Sequence, residues 1–583
     1  MPDKYLIEVN KTKDLLEKIS PSMCMAKWLQ VSLHLPQGLT QSCYHPPTHE
    51  IPLDNIKNNP SVLHNTEFKI NERKQMREGK RPAGCQYCWN LEDGNHLSDR
   101  HYRSNEPWAK SAWEKVAYGN NDKTINPRYV EVNFNQACNF KCTYCSPHLS
   151  TAWEKEVDKY GPIKINDTQI HNDINTLAEE GLMPIVSANK ENPYVQAFWE
   201  WWPDLYNDLK IFRMTGGEPL MDKNTFKVLD YTKDNPNSDL EISITSNMCP
   251  PNQKLFDKFI KTIKDIESPI NKSTFNKWKK AGRICEVNYY AKNNGQDDWQ
   301  QWPRFIVIDK TTPEYIIEID KGKKRINKSD IKRKFDSTGR DPKSGDFLYS
   351  LVWFKSNKNN NWQCLGSPKT ELEGNKGVFL EVPKIKNFML FASVDAVGKR
   401  AEYIRTGLNW TVFKNNVNTY LQETNKTEIT FINTFNFLSI TSLKKFLTFV
   451  LKLRQQYGTL EDSRVWFDIP YLREPTWMNI QLAVSFPDLL EEIENCISFM
   501  TMWKQTNNDI GFHDYEIAKL NRNLEWIKST SDYITSEELK NRQANFYKYF
   551  KEIDNRRSTN FVEVFPELED VWNHYASLAE STN

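Results

Sequence analysis

Three thiols crowd into one short stretch of this 583-residue chain: Cys138, Cys142 and Cys145 in YVEVNFNQACNFKCTYCSP, Tyr129 to Pro147, a C-x3-C-x2-C spacing. Soft thiolates select zinc, copper(I) or iron–sulfur clusters, and a four-iron cluster held by three of them keeps one iron open to a further ligand. The residues before the loop, Tyr129, Val130, Val132 and Phe134, are β-branched or aromatic and read as a strand running into it. Zinc is the competing reading, with His148 as fourth ligand, although structural zinc sites usually pair two C-x2-C or H-x3-H units. A second strand-like stretch, KIFRMTGGEPLM (Lys210 to Met221), ends in Gly216-Gly217-Glu218-Pro219. Its glycines admit close backbone approach to a ligand, and the Glu218 carboxylate can accept hydrogen bonds from an ammonium group. A lone GGEP is an ordinary turn, but in order after the cysteine loop, each at a strand end, the pair argues against zinc.

Together these stretches resemble the radical S-adenosylmethionine (SAM) enzymes. In that family the open iron chelates the amino and carboxylate groups of SAM, and an electron from the cluster cleaves the sulfonium to a 5′-deoxyadenosyl radical. The resemblance implies that Cys138, Cys142 and Cys145 hold this catalytic 4Fe-4S cluster, with the aromatic Tyr144 directly before the third cysteine. It also implies that Glu218 faces the amino end of SAM. It continues in NFMLFASVDAVGKRAEYIRTGLNW, Asn387 to Trp410, where S-x-D at a strand end precedes EYIR-x-G and a tryptophan. By analogy Ser393 and Asp395 sit beside SAM and Arg405 pairs with its carboxylate; a surface salt bridge is the alternative for Arg405. Asn247, Asn433 and Asn436 stand at further strand ends, where a barrel carries its chemistry, and each could equally be a loop cap.

Four more thiols lie upstream. Cys24 and Cys43 bracket Gly38 in a C-x13-G-x4-C pattern, and Cys85 and Cys88 form a C-x2-C. This arrangement is similar to the twitch module, a shortened SPASM domain that carries an auxiliary 4Fe-4S cluster and usually follows the barrel. Here it would precede the barrel, as in twitch-domain radical SAM proteins. Structural zinc is the alternative for four thiolates. His45, His49, His96 and His101 lie nearby and read as surface or hydrogen-bonded histidines. With all four sites of the second cluster filled by thiolate, its expected work is electron transfer.

Lys and Arg number 77 against 76 Asp and Glu, so no global field points to nucleic acid or an anionic membrane. Eleven cysteines, seven of them in motif spacings, fit a reducing compartment better than a disulfide framework. The first residues lack an apolar signal-peptide core and no run of 18 apolar residues occurs, so the expectation is a soluble cytoplasmic protein without membrane contact.

The expected fold is α/β, a partial (β/α)6 TIM-like radical SAM barrel with an N-terminal cluster-binding module and a β-rich insertion. Its strands fall at 129–134, 210–215, 240–246, 388–394, 427–433 and 464–469, mostly apolar as if covered on both faces. Helical stripes lie between them at Phe198, Trp199, Trp202, Leu205 and Leu209, and at Leu255, Phe256, Phe259, Ile260 and Ile263. Trp28, Val31, Leu33 and Leu35 suggest a hairpin closed near Gly38. The division expected is 1–126 for the twitch-like module, 127–267 and 384–500 for the barrel halves, 268–383 for the insert and 501–583 for a helical extension. Within the insert, Lys321 to Lys334 holds eight basic residues and one acid, Asp330. The function expected is an oxidoreductase abstracting hydrogen from a peptide or small metabolite, with an electron donor such as flavodoxin or ferredoxin. RNA modification, resting on that basic run, is the alternative, and a metal-binding protein that no longer cleaves SAM is a third.

Overall fold

The computed structural model describes residues 4–120, 122–166, 171–188, 190–268, 384–458, 463–506 and 510–581, and between 269 and 383 seven short strands. A nine-stranded, mostly parallel sheet forms its centre, built from β1 (Gln30–His34), β2 (Leu39–Gln41), β3 (His49–Glu50), β4 (Tyr129–Asn133), β5 (Ile211–Thr215), β6 (Asn237–Ser246), β7 (Ile385–Ser393), β8 (Glu428–Ile432) and β9 (Val465–Asp468). The spatial order is β9-β8-β7-β6-β5-β4-β1-β2-β3. From β4 to β9, neighbours in sequence are neighbours in space and every pairing is parallel. This is the arrangement that repeated strand–helix units produce, because each parallel step needs a crossover long enough to hold a helix.

After the cysteine loop and α1 (Thr151–Tyr160), the crossovers carry α2 (Pro193–Asp208), α3 (Lys223–Asp234), α4 (Gln253–Glu267), α5 (Trp410–Glu423) and α6 (Leu443–Tyr457). Their starts are written locally. Asn192 accepts a hydrogen bond from Tyr194 N at 2.8 Å and Asn252 one from Leu255 N at 3.1 Å, each satisfying an amide that the first turn leaves without a partner. α2 buries Phe198, Trp201, Trp202 and Leu205, and α4 buries Phe256, Phe259, Ile260 and Ile263, close to the stripes read from the sequence.

The strands themselves differ from expectation. The crossover helices cover one face, where Val31, Val130, Val132, Phe212, Met214, Ile242, Leu390 and Phe431 enter the main core. The register places Ser32, Glu131, Arg213 and Ser243 side by side on the other face, with Thr430 beside Phe391 farther along. That face is polar, so each strand alternates with the period of two that a sheet imposes.

The hairpin around Gly38 is present, but its first strand does not stay within residues 1–126: β1 pairs in parallel with β4 over its full length. The boundary read at 126/127 therefore crosses a continuous sheet. A second core, with Leu16, Met23, Trp28, Trp89 and Trp108, lies behind β1 and contains Cys24, Cys85 and Cys88.

In the insert, antiparallel pairings join 314–319 to 322–327, 289–291 to 300–302, and 352–355 to both 284–286 and 362–364. The strand-like runs at 304–309 and 377–382, and most of the basic run 321–334, lie outside the described residues. The chain ends in α7 (Pro487–Thr506), α8 (Asp514–Lys528), α9 (Ser536–Arg557) and α10 (Glu569–Ser581). No helix among the described residues is long and apolar enough to cross a membrane.

Candidate functional site

The cysteine loop leaves the carboxyl end of β4 and is braced from outside by side chains. The carbonyls of Cys138, Phe140 and Cys142 accept from Thr151 Oγ1, Ser150 Oγ and Trp153 Nε1 at 3.3, 2.7 and 2.8 Å, all three donors belonging to the first turn of α1 or its cap. The carbonyls of Lys141 and Thr143 accept from Arg557 Nη1 and Tyr549 Oη of α9 at 3.0 and 2.7 Å, and that of Cys145 from His171 Nε2 at 3.0 Å. The negative ends of these peptide dipoles are thus tied to groups outside the loop, which favours gathering anionic sulfur on its inner side. Arg557 is itself anchored in a buried pair with Glu156, at 3.0 and 3.2 Å, and Glu156 also pairs with Lys141.

The GGEP turn packs directly on the start of this loop. Gly217 N donates to Asn135 O at 3.1 Å and Glu218 N to Ala137 O at 2.7 Å. A Cβ on Gly216, which has φ of +122°, would lie 2.3 Å from Asn133 Oδ1, and one on Gly217 would lie 2.3 Å from Ala137 O. The close approach for which these glycines are needed is therefore to the cysteine loop. Glu218 is buried and bonded inward, accepting from Leu220 N at 3.0 Å, Ser246 Oγ at 2.8 Å and Asn247 N at 2.6 Å. Burial outweighs these bonds and pushes its carboxyl up to about 7. The carboxylate read as an ammonium acceptor is a bracket between β5 and β6 here. Asn247 continues the bracket, donating to Asn139 Oδ1 at 3.0 Å, and Asn139 in turn bonds the carbonyl of Cys249 at 2.8 Å.

Arg405 and Asp395 are also turned toward each other. The guanidinium meets the carboxylate through Nε at 2.7 Å and Nη2 at 3.0 Å, both side chains buried, so the ion pair of Arg405 is an interior one and not the surface pair read as the alternative. Arg405 Nη1 lies 3.8 Å from Cys142 Sγ, and its backbone pairs antiparallel with that of Cys142. Asp395 accepts from Tyr144 Oη at 2.8 Å and from Thr434 N at 2.9 Å, while Asn433 Nδ2 holds the Asp395 carbonyl at 3.1 Å. Ser393 stands half-buried at the end of β7, and Asn436 caps the turn after β8 through Leu438 N at 3.1 Å.

Burial pushes the Cys138 thiol up to about 12 and raises Cys142 and Cys145, with Arg405 opposing the rise at Cys142. His148 is bonded to Ser146 Oγ. Among the described residues, no group of three or more His, Cys, Asp or Glu side chains converges closely enough to hold a single metal ion.

Cys24, Cys43, Cys85 and Cys88 line one cavity together. The antiparallel pairing of β1 with β2 returns the chain so that Cys43 comes back beside the base of β1, where Cys24 lies, and a turn at residues 83–88 brings in the other two. Burial raises all four thiols, Cys85 to about 11 and Cys43 and Cys88 to about 12. Two buried cations stand at the same cavity: Lys27, paired with Glu72 at 2.6 Å, and Arg100, forked onto Glu92 at 2.9 and 2.7 Å. Four thiols and two cations thus line one cavity, the donor set that a thiolate-held cluster would call on. Of the neighbouring histidines only His45 lines the cavity, and it bonds Asp99 at 2.7 Å; His49 bonds Thr66, His101 caps Ser98 N, and His96 is exposed. Tyr44, next to Cys43, reaches Tyr129 Oη at 2.5 Å and Glu131 at 3.1 Å, so the module touches the polar face of the sheet.

Sequence reasoning missed Asn139, Trp153, Glu156, His171 and Tyr549; Arg557, in DNRRSTNFVEVFPELEDVW, reads from the sequence as a residue for ion pairing or packing against the barrel, and it pairs with Glu156. Asn139 sits between two of the cysteines and Trp153 at the start of a capped helix, so local signals existed for both; Tyr549 lies about 400 positions downstream, with none. Compared with protein-family models, with curated proteins and with solved structures, the chain matches none.

Proposed function

We propose that the chain is a radical SAM enzyme, its catalytic 4Fe-4S cluster held by Cys138, Cys142 and Cys145. The observation that carries the reading is the company the three thiols keep. They stand on one loop at the carboxyl end of a parallel strand, wedged against a GGEP turn at the end of the next strand, with Arg405 against Cys142. The sequential order β4 to β9, with the crossover helices on one face and polar residues on the other, supports the partial (β/α)6 barrel form of the fold. When bound together, such a cluster and SAM supply a 5′-deoxyadenosyl radical for hydrogen abstraction.

The chain's own residues hold and shield that chemistry. Arg405 offsets negative charge at Cys142, and Asp395 fixes both Arg405 and Tyr144. The outward-tied carbonyls keep competing dipoles away from the sulfurs. SAM would lie at the strand ends around Gly216, Gly217, Ser393 and Asn433, and the substrate along the polar face between the loop and Tyr44. Cys24, Cys43, Cys85 and Cys88 would hold an auxiliary 4Fe-4S cluster, whose charge Lys27 and Arg100 offset and whose natural task is to pass electrons. The setting proposed is a reducing cytoplasm, with flavodoxin or ferredoxin as electron donor.

Anaerobically reconstituted and reduced protein, given SAM, should release 5′-deoxyadenosine and methionine, and Cys142→Ala should abolish the release. Cleavage by Cys142→Ala at the wild-type rate would overturn the assignment.

A further inference from the structure

The polar face of the sheet does not end at the candidate site. At β8 and β9, α8 lies beside it, leaving an open groove of about 460 Å³, a size suited to a small ligand. Glu428, Trp466 and Asp468 line it from the sheet; Tyr515, Lys519 and Arg522, spaced four and three apart along one face of α8, line it from the helix. Two features of this wall decide what it can hold. First, its charge is balanced, two carboxylates against two cations. Asp468 is already paired with Lys519 and accepts from Ile469 N at 2.9 Å. A nucleic-acid backbone requires a surplus of cations, and carboxylates facing into the groove would repel its phosphates. Second, two aromatic side chains, Trp466 and Tyr515, line the groove, and His513 is stacked between them with ring centroids 5.1 and 5.7 Å away, so one side of it is aromatic. The indole N–H of Trp466 is buried and lacks a hydrogen-bond partner among the described residues.

We propose that this compartment holds the zwitterionic end of an amino acid or peptide, its carboxylate toward Arg522 and Lys519, its ammonium toward Glu428 and Asp468, and its side chain along the Trp466–Tyr515 wall. Resting on the radical SAM reading, this makes an amino acid or peptide the substrate class. The same face carries Phe391, on which Arg213 stacks at 4.6 Å, and reaches the cysteine loop at the carboxyl ends of the strands, so a ligand gripped here can lay its body along the face toward that loop.

The test is saturation-transfer NMR on the reconstituted full chain with three probes: glycyl-L-phenylalanine, its N-acetylated and amidated form, and uridine 5′-monophosphate. The free-ended dipeptide should bind, the blocked form at least tenfold more weakly, and the nucleotide not at all. Arg522→Ala and Glu428→Gln should each weaken the dipeptide about tenfold. Binding of the nucleotide in preference to the dipeptide would overturn the proposal in favour of a nucleic-acid substrate. Absence of dipeptide binding, or binding indifferent to both substitutions, would overturn it as well. SAM cleavage measured on the same samples separates the two readings. Cleavage without dipeptide binding sinks only the compartment, and dipeptide binding without cleavage sinks only the reaction.

Discussion

Arg557→Met removes a guanidinium while keeping most of its stem, and so asks whether α9 holds the cysteine loop in place. Arg557 and Glu156 are each 2% exposed. Deleting one partner of such a pair costs about 3–5 kcal/mol, because the other charge stays buried. Lys141 remains on Glu156 and pulls the loss toward the lower figure, while the Lys141 carbonyl and the Thr406 hydroxyl each lose a donor, at about 1 kcal/mol apiece. We therefore expect a cost of about 5 kcal/mol. Glu156→Leu alone should cost a similar amount, and the double variant less than the sum by about 2–3 kcal/mol, the signature of direct coupling. A chain of this size has no single unfolding free energy, so the readout is native-state hydrogen exchange at the amides of 138–145 and 536–557, which reports local opening. Single losses that add within about 0.5 kcal/mol, or a loss confined to α9 with loop exchange unchanged, would refute the bracing role. The pair also has a pH signature. Burial would raise Glu156, but Arg557 and Lys141 bring its carboxyl below the usual range. Its contribution is therefore present above the ordinary carboxylate pKa and is lost as pH falls through the depressed one. In Arg557→Met that acid limb should shrink.

Two further outcomes are expected. Reconstituted protein should hold about eight irons and eight sulfides per chain, falling to about four of each in the Cys85→Ala, Cys88→Ala variant; four irons with stoichiometric zinc in the wild type would make the upstream cavity a zinc site. Glu218 should titrate near 7 in carboxyl-detected NMR, up from 4.5. Because its folded pKa is the raised one, the stability it contributes is full below 4.5 and is lost as pH rises through about 7, on the order of 3 kcal/mol in all. A midpoint below about 5 would show that the three donated hydrogen bonds outweigh burial.

The six parallel strands were legible because each is a short apolar run set off by helical stripes, and burial of an element's apolar face is a local property of sequence. The polar face was not. Glu131, Arg213 and Thr430 look like interruptions of apolar strands until the register sets them beside Ser32, Ser243 and Phe391. The membership of β1 was equally hidden, since QVSLH reads as a hairpin strand whichever sheet it joins. That pairing matters for function, because it places the four upstream thiols beside the sheet whose loop carries the other three.

The site shows the same division between identity and partnership. Thiol spacing is written in sequence, so both cysteine sets are legible there. Charge pairing is not, because Asp395 and Arg405 satisfy any rule that seeks groups able to hold a zwitterion, and they satisfy each other first. At 2.7 Å and buried, the pair would have to lose its own contact before either side chain could bind a ligand charge, and leaving one of them unpaired would cost about as much as a new ion pair returns. Its position favours a different use. Arg405 reaches Cys142 Sγ while Asp395 holds Tyr144, so the pair fixes two of the loop's residues from β7 and the segment after it. Together with Arg557 and Tyr549 on α9, it makes the loop a point where the last strands and the carboxyl-terminal helices meet the first strand–helix unit. The loop's shape therefore depends on residues that no local reading of 129–147 could supply.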